Sequence, residues 1–199
     1  MKLYLTSITA NVINKINFEN KKKVVFILTA ANPYSDKSFI EPDKKALKNK
    51  GLELTIYDIE NKTQETLTKD LSKFEIIFVS GGNSFYLLEQ IKKTGFDKVL
   101  KKFQKTDIIY IGSSAGSVIV CPDIKYIEPL DDPKEAKNLQ NYKGINLIDF
   151  YVLPHFNTGI FGEISKTIYQ EKANTLKLVP ITDNQLIEIN TTTNNYKII

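Results

Sequence analysis

The chain has 199 residues, 42% hydrophobic and 25% charged, which supports one substantial core in a single domain spanning residues 1–199 and gives no sign of disorder. Its formal charge is +4 and every basic residue is lysine; lacking arginine's bidentate fork, it is a poor candidate for reading nucleic-acid sequence. With one cysteine, Cys121, and one histidine, it offers neither an internal disulfide nor a Cys/His metal cluster, and no stretch approaches the ~20 apolar residues of a membrane span.

No apolar leader follows Met1, so the expectation is a cytoplasmic protein that needs no metal or cofactor and does not bind membranes. In chain order, short runs rich in Ile, Val, Phe and Tyr fall at residues 2–5, 24–29, 52–57, 76–80, 108–111 and 150–153. They show little polar alternation, as strands of a parallel sheet covered on both faces do. Between them lie helical patterns. One opens at Pro42, runs to about Lys48 and stops at Gly51; residues 63–73 carry Leu67 and Leu71 four apart. Residues 84–93 place Phe85, Leu88 and Ile91 on one face, residues 96–103 continue after Gly95, and a last helix is expected over 163–172. Residues 177–181, 185–190 and 196–199 read as successive antiparallel strands, with Asp183-Asn184 and residues 192–195 as turns. The expected fold is α/β: a doubly wound, mostly parallel sheet flanked by helices, with antiparallel strands near the C-terminus.

One motif carries chemistry. After the run at 108–111 comes Gly112-Ser113-Ser114-Ala115-Gly116, which fits G-x-S-x-G between an apolar strand and an apolar helix. A serine hydroxyl attacks only when a base reaches it, so it must project from the sheet on a sharp turn, and small residues at 112 and 116 let the chain double back. The Ala115 N–H, just after the nucleophile, suits a developing oxyanion. His155, in Leu153-Pro154-His155-Phe156-Asn157, is the only histidine and follows a strand, where α/β folds hold their sites; it is the expected base. A carboxylate should orient it, and Glu128, Asp131 and Asp132 all lie between Ser114 and His155. Val79-Ser80-Gly81-Gly82-Asn83 ends another strand and opens a helix, so its glycines could cradle a phosphate or supply an oxyanion N–H. Asn83 and Asn157 are candidate substrate contacts.

These three blocks together, Val79 to Phe85, Gly112 to Ser117 and Pro154 to Phe156, resemble the dipeptidase E / cyanophycinase family of serine peptidases in order and spacing across nearly the whole chain. The resemblance implies a fold like that of class I glutamine amidotransferases, with Ser114 as nucleophile and His155 as base. It also implies an oxyanion hole from the backbone of Gly82 and Ala115 and an acid soon after the nucleophile helix, for which Glu128 is the best match and Asp131 and Asp132 are alternatives. The implied substrate is a small peptide or related amide. Dipeptidase E cleaves dipeptides with an N-terminal Asp and reads that side chain with arginine; a lysine could replace it only as a point charge. A non-catalytic ligand-binding module and an esterase or amidase are the other readings this scaffold permits.

Overall fold

The computed structural model describes residues 1–190 and 195–199. A seven-stranded sheet has the order β3-β2-β4-β5-β1-β8-β9. Its parallel part comprises β1 (Lys2–Thr6), β2 (Lys23–Ile27), β3 (Glu53–Tyr57), β4 (Ile76–Val79) and β5 (Ile109–Ser113). β8 (Leu186–Asn190) runs antiparallel to β1, and β9 (Asn195–Ile198) antiparallel to β8. The mostly parallel α/β fold is therefore as the sequence leads one to expect.

Strand alternation explains the layers, because successive side chains point to opposite faces. Val25, Ile27, Ile77 and Val79 enter a core on one face, packed by α3 (Gln64–Leu71), α4 (Ser84–Thr94) and α5 (Phe96–Phe103). Val24, Phe26, Ile76 and Phe78 enter the core on the other face, with Val12 of α1 (Thr9–Val12) and Leu47 of α2 (Glu41–Asn49). Gly95 separates α4 from α5 at φ 74°, the left-handed conformation that glycine adopts without steric cost.

Two parts differ from the expected pattern. β6 (Tyr151–Leu153) and β7 (Leu178–Pro180) lie outside the main sheet and pair with each other, in parallel, as a separate two-stranded sheet. Residues 177–181 thus do not begin an antiparallel meander. α7 (Gly162–Lys172) connects the two strands in a right place to pack its buried Ile168 with Leu153, Phe85 and Tyr126 in a further core. The expected turn at 192–195 lies outside the described residues except for Asn195, which opens β9.

Candidate active site

Three adjacent strands of the parallel sheet, β4, β5 and β1, end at one edge, the usual location of sites in α/β sheets. Past the end of β5, Ser114 takes φ 49° and ψ −110°, a strained conformation for a residue with a side chain. The turn survives because its neighbours are over-determined. A Cβ on Gly112 would come within 2.5 Å of Gly116 C, and one on Gly116 within 2.2 Å of Val79 O, so both positions admit only glycine. Ser114 N–H donates to Thr6 O at 2.9 Å, and Ser117 Oγ donates to the carbonyls of Thr6 and Gly112, both at 2.8 Å. The helix that follows, α6 (Ala115–Val118), is a single turn, shorter than the apolar run 117–120 suggests.

The strained turn aims Ser114 Oγ at His155 Nε2, 3.0 Å away. His155 Nδ1 lies 2.7 Å from Asp183 Oδ1. For a neutral imidazole, a carboxylate there fixes the proton on Nδ1, leaving Nε2 to accept from the serine hydroxyl. The placement follows from the small parallel sheet. Leu153 pairs with Pro180, Ile181 N–H donates to Leu153 O at 3.0 Å and Phe156 N–H to Ile181 O at 2.9 Å, so the chain leaves both strands side by side. His155 itself has φ 59°, a turn conformation uncommon for residues with a side chain but one that histidine adopts more readily than most. Ser7 Oγ accepts from His155 N–H at 2.9 Å, Ser165 Oγ donates to His155 O at 2.9 Å, and Thr158 Oγ1 accepts from Asp183 N–H at 3.1 Å. Both His155 and Asp183 are buried.

The carboxylate assignment is a correction. Glu128 is not on the cavity wall; it caps a short 3-10 turn (Lys125–Ile127), its N–H bonded to Lys125 O. Asp132 is spent on a local turn, accepting from Lys134 N–H at 2.9 Å. Asp131 does reach the cavity, but its Oδ2 accepts from Ser84 N–H at 2.8 Å, and burial pushes its pKa up. Asp183 was hidden as a turn residue; its only sequence signal was that it too follows an apolar run.

The two asparagines fall in different places. Asn83 is buried as the N-cap of α4: its Oδ1 accepts from Tyr86 N–H at 2.9 Å and its Nδ2 donates to Asp132 O at 2.9 Å, and its side chain also reaches Tyr34 of the cavity wall. Asn157 is exposed, in a turn at φ 54°, and lies off the cavity wall. Gly82 stays where expected, lining the cavity at φ 138°; a Cβ there would come within 2.1 Å of Ala30 O. Neither Gly82 N–H nor Ala115 N–H has an acceptor among the described residues.

The cavity over Ser114 measures about 690 Å³. Tyr34 and Phe39 stand on one rim in edge-to-face contact, 5.6 Å between centroids, with Ile160 and Phe161 also on the wall. Cys121 is no rival nucleophile: complete burial pushes its thiol up to about 12.

A buried imidazole held between a strained serine and a carboxylate, at the carboxyl edge of a mostly parallel sheet, defines the class as serine hydrolases of the α/β type. The comparisons narrow it. The chain belongs to peptidase family S51, whose sequence model matches residues 1–196. An uncharacterized peptidase of Listeria monocytogenes is 39% identical over 191 residues, 94% of this chain and 93% of that one. One of Pasteurella multocida is 33% identical over 197 residues, 96% of this chain and 95% of its own. The crystal structure of a candidate peptidase E from Listeria monocytogenes superposes with a TM-score of 0.90 at 36% identity, covering 100% of this chain and 97% of that one. The protein is a serine-type peptidase.

Proposed function

We propose that this peptidase hydrolyses short peptides through an acyl-enzyme on Ser114, with His155 as general base and Asp183 as the orienting carboxylate. The observation that carries the reading is the unbroken chain from Ser114 Oγ to His155 Nε2, 3.0 Å, and from His155 Nδ1 to Asp183 Oδ1, 2.7 Å. As Oγ attacks the scissile carbonyl, Nε2 takes its proton; Asp183 stabilises the imidazolium, which then protonates the leaving amine. Water enters by the same route in reverse and releases the acid. The developing oxyanion is assigned to the unengaged amides of Gly82 and Ala115, which flank the serine from two chain segments. A cavity of about 690 Å³ has the size of a small-ligand site, and this supports dipeptide-sized substrates.

A fluorophosphonate probe followed by peptide mass mapping tests the reading. Labelling is expected at Ser114 and lost in Ser114→Ala; undiminished labelling of that variant overturns it.

A further inference from the structure

The 3-10 turn Gly159–Phe161 is built onto the loop that carries the base. Thr158 N–H donates to His155 O at 3.2 Å, and Ser165 Oγ lies 2.9 Å from His155 O and 2.8 Å from Gly162 O, so one hydroxyl spans both ends of the turn. A Cβ on Gly162 would stand 3.0 Å from Asn157 C, so the loop closes tightly there. Held in this way, Phe161 sets its ring 5.3 Å from the imidazole of His155, at 46°. Ile160, beside it on the cavity wall, is 88% exposed, more than any other large apolar side chain among the described residues. Neither residue takes part in proton transfer, yet proton return runs past both. Having taken the Ser114 proton, Nε2 gives it to the leaving amine, which must come within hydrogen-bond reach of the imidazole. The residue that carries this amine therefore begins beside His155, where Phe161 and Ile160 form the wall. An apolar side chain there would cover surface that Ile160 and Phe161 leave in water, whereas a polar one would lose hydration to neighbours whose side chains offer no hydrogen bond.

Resting on the reading of Ser114 given above, we propose that Ile160 and Phe161 form the leaving-group subsite and set a preference for an apolar residue on the carboxyl side of the scissile bond. Phe161, against the imidazole, is its floor, and Ile160 is its outer edge. The residue on the amino side of that bond lies outside this subsite, so the preference holds whatever that residue is.

The test probes the leaving-group side alone. The rate at which a fluorophosphonate labels Ser114 is measured with leucinamide, with serinamide and with neither, above pH ~8, where an α-amino group is uncharged as a leaving amine is. Leucinamide is expected to slow labelling at concentrations about fivefold or more below those that serinamide needs, the scale of burying part of a leucine side chain. In Ile160→Ser the gap between the two amides should narrow to about twofold, and Ile160→Leu should restore it, each variant being compared with its own labelling rate without amine. Ile160 belongs to none of the buried cores, so a gap lost in Ile160→Ser and regained in Ile160→Leu is not a folding effect. Equal protection by the two amides, no protection by either in a chain that labels at Ser114, or an unchanged gap in Ile160→Ser overturns the inference. Absence of labelling at Ser114 would instead remove the reading beneath it, and the inference with it.

Discussion

Asp183 Oδ1 lies 2.7 Å from His155 Nδ1 although 28 residues separate them, because the strands before each, β6 and β7, pair in parallel. The loop after His155 then wraps the carboxylate: Thr158 Oγ1 holds the Asp183 amide, and Gly159, at φ 61°, approaches Asp183 Oδ2 so closely that a Cβ would stand 3.2 Å from it. The Thr158 side chain thus anchors the Asp183 main chain, and Gly159 leaves room for its carboxylate.

Ser7 extends the same support from β1. Its Oγ accepts from His155 N–H and lies 3.2 Å from the carbonyls of Ile181 and Thr182, tying the main sheet to the loops that carry base and acid. Ser7→Ala leaves a buried N–H without an acceptor, so stability should fall by roughly 1–3 kcal/mol. Misplacement of the imidazole should lower kcat by about ten- to a hundredfold with KM little changed. Denaturant melts and steady-state kinetics on one preparation check both.

Gly82 and Gly51 both have positive φ, at 138° and 76°, but only Gly82 is crowded, its virtual Cβ 2.1 Å from Ala30 O, whereas nothing lies within 4 Å of that of Gly51. Gly51→Ala should cost about 1–2 kcal/mol, the left-handed backbone penalty alone. Gly82→Ala should cost more than that and displace the turn beside Ser114, so that labelling slows as well. Urea midpoints for the two variants give the ranking.

Asp43 supplies a pH prediction. Burial pushes its folded pKa above the ordinary 3.8, against hydrogen bonds from Ser113 and Ala10 that lower it. Between 3.8 and the raised value, the unfolded chain has lost the proton while the folded chain keeps it. Stability from this group therefore falls as pH rises through that window and is constant above it. Asp43→Asn keeps an acceptor and cannot ionise. Its stability relative to the unmodified chain should become more favourable as pH rises from about 3.8 into that window; parallel stability–pH curves for the two proteins would contradict this.

Ser114 and His155 were legible in the sequence because each is marked locally. The Gly112-to-Gly116 block writes its own turn, since both glycines face backbone atoms within 2.5 Å of a virtual Cβ, and the histidine is the chain's only one. The parallel strands were legible as apolar runs for the same reason. Asp183 was not, because its role depends on long-range pairing of β6 with β7, and an apolar run before a turn reads equally well as a hairpin arm. Glu128 looked better on chain order, but order says nothing about which side of a short turn a side chain leaves. Asn83 shows a similar limit: a polar residue opening a helix after a glycine pair is equally a cap, and here its Oδ1 caps α4 while its Nδ2 holds the Asp132 carbonyl.

The account turns on Asp183 as the partner of His155, and the direct measurement is kcat/KM on a cleaved dipeptide for Asp183→Asn beside Glu128→Gln. Asp183→Asn preserves shape but loses the carboxylate that holds the Nδ1 proton, so kcat/KM should fall by roughly 10⁴-fold. Glu128→Gln should stay within about twofold, as for a surface change away from the site. Near-normal turnover in Asp183→Asn, with collapse in Glu128→Gln, would contradict the account.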